Sequence, residues 1–412
     1  MRVVVLGGGV TGLFVSYQLA AGGHEVTIVE RGDTAESSAV FSAGLITPST
    51  GVAPSIGMGE ILSSFLGRRS AVSISMVEVL RNLRWFRVAS RRGLAGYEAT
   101  ITAFGRRSLE LYRAFFDRER LAVDRLDGIA GLYESPERAR RVAEAGGARL
   151  MEEKELSELG FAGFGGGVFA EDELSIEPGS LVAGLAGRVA EMGVRTLRGE
   201  PRLERGGVRG GATASVVLGS DALPADHCVV TAGSWSRAIC RSLGHDPLLL
   251  PARGWSMLFE TDQRVVGCPA LLEDTGIAAI QHSDRRFRLT SFFEMRGFDR
   301  GFSGWRRRWM VEQAEKHLPR FKRAARPTGF GIGFRPCTPD QLPIVGRVPG
   351  FENLHLATGS CRLGVTLAPA TAELVRAQLE GSEAVSEFAA RFSPARFEKR
   401  ARDGPADGRV PK

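Results

Sequence analysis

Val3-Val4-Val5-Leu6 is a wholly apolar, mostly β-branched run, the pattern of a strand buried on both faces of a parallel sheet. Gly7 to Gly12 follow at once as G-x-G-x-x-G, and Leu13 to Gly22 reads as a helix. A second strand, Glu25 to Val29, ends on acidic Glu30. In such a unit Gly7 permits the tight turn, Gly9 lets the backbone approach a pyrophosphate, and Gly12 lets helix and strand pack closely. The phosphate sits on free N–H groups of the first helical turn, at Val10 and Thr11, where the dipole favours negative charge. Glu30 is spaced to accept both ribose hydroxyls of an adenosine. Its charge argues against a 2′-phosphate, hence against NADP, and the spacing does not choose between NAD and FAD. A plain glycine-rich turn in an ordinary α/β sheet would leave Glu30 as a coincidence.

Further along, Arg31 to Pro48 is rich in Ser, Ala and Gly, small residues that let a backbone lie against a flat ligand and offer N–H and hydroxyl donors. The segments 61–66, 77–88 and 100–118 read as helices. Leu80 to Val88 is amphipathic and basic, a pattern that packs on its own domain or touches a membrane surface. Ile129 to Tyr133 reads as a strand, Pro136 to Ala145 as a helix, and Pro178 to Met192 as a helix with proline in its first turn. Val194 to Leu203, Ala212 to Leu218 and Ala225 to Val230 read as strands, the last returning to the parallel sheet. Strand-like segments over 250–300, including Arg286 to Glu294, predict an antiparallel substrate-domain sheet. Trp305 to Leu318 reads as a helix, and the charged tail from Ser393 as mobile.

The chain has 412 residues, 43% hydrophobic and 25% charged, enough for two domains of ordinary globular composition. The formal charge of +7 comes almost wholly from arginine. No basic run interleaved with aromatics appears, so nucleic acid is not indicated; an anionic substrate or a membrane-surface preference fits the charge equally well. The five cysteines, Cys228, Cys240, Cys268, Cys337 and Cys361, form no C-x-x-C, so neither a zinc site nor a disulfide framework is expected. A reducing, cytoplasmic setting is the default, at the inner face of the membrane if the basic helix makes contact. No run of 18 uninterrupted apolar residues exists to span a bilayer.

Several motifs in order carry a family resemblance over roughly residues 1 to 385. They are Gly7-x-Gly9-x-x-Gly12 with Glu30-Arg31; Ser38 to Pro48; Gly166-Gly167-Val168 with Ile176-Glu177-Pro178; and Val229 to Ser236. Glu294 to Asp299, Gly333-Phe334-Arg335-Pro336 with Thr338-Pro339-Asp340, and Thr358 to Thr371 complete the set. The chain resembles the FAD-dependent D-amino-acid oxidase superfamily, which includes D-amino-acid dehydrogenases, glycine and sarcosine oxidases and dye-linked proline dehydrogenases. The resemblance implies an α/β fold: a Rossmann-type FAD-binding domain (1–88, 168–238 and 330–392) interleaved with a smaller substrate domain on an antiparallel sheet (89–167 and 239–329). Residues 393–412 would form the tail.

The resemblance also implies roles. Arg335 would pair bidentately with a substrate carboxylate, with Arg362 near flavin or substrate. Gly359, Leu363, Gly364, Val365 and Thr366 would bring backbone N–H groups over the flavin pyrimidine and stabilise charge developing there. Gly44 and Leu45 would border the isoalloxazine and Gly233 would lie near the adenine or pyrophosphate, with Ser37, Ser38, Ser42, Ala43, Ala232 and Trp235 also binding the cofactor. Arg202 stands in the strand whose backbone touches adenine. Cys337 is misplaced for a covalent flavin bond, so noncovalent FAD is expected. No tyrosine lies within 239–334 and no His or Glu stands out as a base, which suits direct hydride transfer from an amino acid to flavin N5. The reading is an FAD-dependent amino-acid dehydrogenase, with proline or another secondary or D-amino acid as substrate and a quinone or dye-type acceptor. The alternatives are a glycine- or sarcosine-type oxidase using dioxygen and a noncatalytic electron-relay subunit. Assembly into an oligomer is left open.

Overall fold

The computed structural model describes residues 1–48, 71–91, 96–146, 148–207, 212–301, 303–383 and 386–398. The expected helix at 61–66 and the tail beyond 398 lie outside them. Arg2–Leu6 forms the middle of a six-stranded sheet, parallel to Glu25–Glu30 on one side and His227–Val230 on the other. Arg195–Arg198 and Leu354–Thr358 extend it in parallel, and Ile344–Arg347 closes one edge antiparallel. Val3 to Leu6 are all buried, as an all-apolar strand covered on both faces requires. One covering layer is the helix Val10–Ala21, whose Phe14 meets Tyr112 and Phe115 of the helix Tyr97–Glu119 edge to face.

The second sheet has ten strands. Its long antiparallel strands Leu250–Thr261, Arg286–Met295 and Ala325–Cys337 lie side by side. Arg125–Tyr133 and Gly166–Ile176 continue it on the far side of the short strand Ala270–Leu272. This sheet draws Gly166–Ile176 and the end of Ala325–Cys337 across the domain limits read from the sequence. The helix Tyr97–Glu119, assigned above to the substrate domain, packs against the nucleotide half. The two halves are therefore more deeply interleaved than the linear segments imply.

Two local expectations are corrected. The helix expected over 77–88 is two helices, Met76–Arg81 and Leu83–Arg91. Asn82 breaks it: its amide donates back to the Glu78 carbonyl at 3.1 Å, and its Oδ1 accepts from Arg237 at 2.7 Å, competition with the helical ladder that asparagine favours. Trp85 and Phe86 of this stretch turn inward and are buried, while Met76, Val77, Leu80 and Leu83 stay exposed. Among the described residues no helix is long and apolar enough to cross a membrane. The tail begins with an ordered turn, Pro394–Phe397. There Phe397 is buried and Arg396 pairs with Asp340 at 2.9 Å, so residues 393–398 belong to the fold.

Arg288 joins the halves. Its guanidinium, 3% exposed, pairs with Glu177 at 2.9 Å and donates to the carbonyls of Val40 and Ser42 at 2.6 and 3.1 Å. Glu177 in turn caps the helix Pro178–Glu191 by accepting from the Ser180 N–H at 2.5 Å. Burial pushes the Glu177 carboxyl upward. The Ser180 N–H and Arg288 outweigh it and hold the group below its ordinary range. Replacing Arg288 by Met strands this carboxylate, and the variant should lose about 3–5 kcal/mol at neutral pH. An unpaired, buried carboxyl titrates above its unfolded value, so the deficit should shrink as pH falls from 7 to 5. Denaturant unfolding across that range checks both statements; a pH-independent deficit would refute the pairing.

Candidate active site

A cavity of about 970 Å³ runs between the two sheets. At its nucleotide end Gly7, with φ +114, brings the backbone so close to Ala232 that any Cβ would meet it at 2.9 Å. A Cβ on Gly12 would strike the Gly7 carbonyl at 1.9 Å, so Gly12 serves the strand–helix contact and lines no cavity wall. Gly9 differs: a Cβ there would meet only Ser37, at 4.0 Å, and would project into open cavity. Gly9 caps the helix Val10–Ala21 without a side-chain hydrogen bond, and no acidic residue stands in its first turn. The first N–H groups are thus left for an anion. The Ser37 hydroxyl is buried with no partner, an orphan that a bound phosphate would satisfy.

Glu30 ends its strand at the cavity wall, accepting from the Gly8 N–H at 2.6 Å and the Gly32 N–H at 3.0 Å. Arg31 stacks over Trp235 at 4.9 Å, and both border the cavity beside Ala232 and Gly233. Pro201 and Glu200 also line it, whereas Arg202 is exposed and donates to the Gly219 carbonyl at 3.1 Å. The alternation of the strand Pro201–Gly206 turns the Arg202 side chain away from the cavity, and Pro201 is the residue of that strand that lines it.

Mid-cavity, Val10, Thr11, Ser37, Ser38, Ser42, Ala43, Gly44 and Leu45 form one wall, held by Arg288. Gly44, at φ +71, leaves no room for a side chain, because a Cβ would meet the Ile176 carbonyl at 1.9 Å. Gly359, Arg362, Leu363, Gly364 and Val365 form the facing wall. Thr366 is buried behind it, donating from its hydroxyl to the Leu45 carbonyl at 3.1 Å. It links the two walls without facing the cavity.

The far end is built on the long strands. Arg335 leaves its own strand, crosses above Gly254, and donates to the Phe292 carbonyl at 2.7 Å. A Cβ on Gly254 would lie 2.2 Å from the guanidinium, so only glycine leaves this path open. Phe292 turns its carbonyl to meet Arg335 from a φ of +66, strain of the kind that gathers at functional sites. Neither Arg335 nor Arg362 has a carboxylate within ion-pair distance among the described residues. Burial, reinforced by Arg362, pushes the Arg335 guanidinium down to about 9. Two cations without counter-ions in one cavity await an anion.

Cys337 and Cys361 form a disulfide, 24 residues apart with Cα atoms 4.4 Å from each other, which corrects the expectation of none. The strand end and the loop meet through a single bridge between Cys337 and Ser360, a long-range pairing that no cysteine spacing announces. The bond fastens the chain two residues after Arg335 to the residue before Arg362. Trp85 seals it from behind, its indole N–H donating to the Cys337 carbonyl at 3.1 Å. Sequence reasoning also missed Glu273, on the turn after Ala270–Leu272, together with Thr290, Phe292 and Trp309, all of which line the far end. They come from a turn, a strand and a helix that only tertiary packing brings together.

The family described as FAD dependent oxidoreductase matches residues 2–378. The chain belongs to that family. Glycine oxidase from Geobacillus kaustophilus superimposes with a TM-score of 0.77 at 19% identity, covering 97% of this chain and 100% of that one. Iminodiacetate oxidase from Chelativorans sp. BNC1 gives 0.73 at 19% identity, covering 92% and 96%. L-proline dehydrogenase from P. horikoshii gives 0.73 at 16% identity, covering 96% and 97%. The cofactor is accordingly FAD, and the open Gly9, the uncapped helix start and the orphan Ser37 hydroxyl fit its pyrophosphate. When bound, the flavin accepts an electron pair with a hydride.

Two outcomes follow. Gly9→Val should abolish co-purification of flavin while leaving the thermal unfolding of flavin-stripped protein within a few degrees of the parent, since the new side chain meets only cavity. An unchanged ratio of flavin absorbance to protein would refute the phosphate-loop assignment. Thiol labelling of denatured, unreduced protein should modify only Cys228, Cys240 and Cys268. Labelling of Cys337 and Cys361 without reductant would refute the bridge.

Proposed function

We propose that this protein is an FAD-dependent amino-acid dehydrogenase. It oxidises the C–N bond of an amino acid to an imine and passes the electrons to a quinone or dye-type acceptor. The observation that carries the reading is the pair Arg335 and Arg362, converging on the flavin cavity with no carboxylate partner. A planar guanidinium held by a backbone carbonyl is pre-set for bidentate pairing with a carboxylate. The names of the structural neighbours, among them glycine oxidase and L-proline dehydrogenase, support amino-acid-like substrates in such a cavity. Proline or another secondary or D-amino acid is the favoured substrate. An imine from a primary amine hydrolyses to an oxo acid and ammonia, and proline leaves a cyclic imine. Placement of both arginines in the cavity also speaks against a relay subunit, which has no use for a substrate anchor.

Anaerobic bleaching of the flavin absorbance by a panel of both prolines, D-alanine, glycine and sarcosine tests this. One of them should bleach it, and re-oxidation by a quinone should outpace re-oxidation by dioxygen. Stoichiometric hydrogen peroxide in air would move the assignment to an oxidase. Arg335→Ala should weaken the same amino acid by about 3–5 kcal/mol, roughly two to four orders of magnitude in the concentration needed for half-bleaching. Unchanged half-bleaching would remove the anchor role.

A further inference from the structure

An amino acid arrives as a zwitterion at neutral pH, and only its neutral amine has the lone pair that forms the C=N bond. The arginines answer the carboxylate and leave the ammonium without a partner. Resting on the amino-acid reading above, we propose that Glu273 binds the substrate's amino group and takes its proton as the Cα–H bond breaks.

The argument begins with the sheet. Glu273 follows the strand Ala270–Leu272, and its N–H donates to the Leu132 carbonyl at 3.0 Å. The turn it opens returns into Ile277–Ser283, which pairs with Arg286–Met295. The Ser291 hydroxyl donates to the Gly276 carbonyl at 3.1 Å, fixing this turn beside the residue before Phe292. The Phe292 carbonyl is what holds Arg335. Glu273 thus lies at most two strand spacings, about 10 Å of backbone, from the arginine's anchor point. Glu273, Arg335 and Arg362 line the same cavity. Glu273 is near enough to Arg362 to feel its charge, so one cavity offers guanidinium groups for a carboxylate and a carboxylate for an ammonium.

The surrounding charges leave Glu273 unassigned. Arg138, from the helix Pro136–Gly146, is already paired with Asp274 at 2.9 Å and stacks on Tyr133 at 5.0 Å. Arg362 attracts Glu273 from the loop after Leu354–Thr358 but stands outside ion-pair distance. Among the described residues Glu273 has no hydrogen-bond or ion-pair partner for its carboxylate. Asp274, Tyr133, Arg138 and Arg362 are the titratable and charged groups that face it. Burial, with Asp274 adding to it and the two arginines opposing, holds the Glu273 carboxyl above the ordinary carboxylate range. That direction suits a proton acceptor, since a base works best when its affinity approaches the operating pH.

In the step so defined, an N–H bond of the ammonium breaks and its proton goes to a Glu273 oxygen. The freed lone pair forms C=N as the Cα–H bond breaks, and that hydrogen leaves with both bonding electrons for the flavin. Glu273 then returns the proton to water. With Glu273 taking the proton as C=N forms, the reacting species is its carboxylate with the ammonium, and the limiting rate is flat between their two titrations. Without it, the proton leaves to bulk water, and the rate follows hydroxide.

The test is the limiting rate of anaerobic flavin bleaching between pH 6 and 9, using whichever amino acid of the panel above bleaches the wild type. Glu273→Gln should slow it about a hundredfold or more at pH 7. The variant's rate should then climb about tenfold per pH unit while the wild type stays flat, and Glu273→Asp should restore part of the plateau. Tetrahydro-2-furoate, a carboxylate with no amine, should perturb the flavin spectrum of Glu273→Gln with an affinity within threefold of wild type. A loss equal at every pH, or a parallel loss of tetrahydro-2-furoate binding, would overturn the proposal and leave Glu273 as a support for Arg362. Failure of every amino acid to bleach the wild type would instead overturn the amino-acid reading, and this one with it.

Discussion

The Arg288–Glu177 pair is the contact on which the site depends. It stands between an antiparallel sheet built by long-range pairing and a nucleotide-binding sheet built around the local βαβ unit of residues 2–30. A buried ion pair is no sure source of stability, because two charges must leave water. Its value here is geometric. One guanidinium fixes the cap of a helix, the carbonyls of Val40 and Ser42, and the Ser256 hydroxyl at 3.3 Å. That wall of the cavity is therefore positioned from the second sheet and not from the nucleotide sheet alone. His282 completes this neighbourhood as a neutral ring, since burial and Arg288 push it down to about 4.

The same division explains what could be read from the chain. Strand Val3 to Leu6, the glycine triplet and Glu30 are contiguous, and each follows from a local period or a backbone requirement. Gly7, Gly9 and Gly12 behave as three different constraints, and the structure separates them: crowding on Ala232, open cavity, and contact with Gly7. Arg335 could be singled out, and lies in the cavity, because it stands within a dense local motif. Arg202 does not line the cavity, because successive side chains of a strand point to opposite faces. Arg288, Glu273 and the Cys337–Cys361 bond carry no local signal at all. Each acquires its meaning from a partner on another strand or loop, and a charged residue inside an apolar strand looks the same whether it holds a loop or points to solvent.

Arg335 and Arg362 show why the substrate end is built with such restraint. Two like charges in one cavity repel and are poorly solvated, so nothing in the packing itself favours their approach. The structure holds them by other means: a bare path over Gly254, a Phe292 carbonyl presented from strained backbone, and a covalent bond between the segments that carry them. These devices place the strain in the site and its support in the surrounding sheet, the pattern expected where local rules yield to function. On the proposed function, an arriving carboxylate would relieve what the fold has imposed, and binding energy would be concentrated on the group that the two cations meet, leaving the rest of the cavity to read the amine and the side chain.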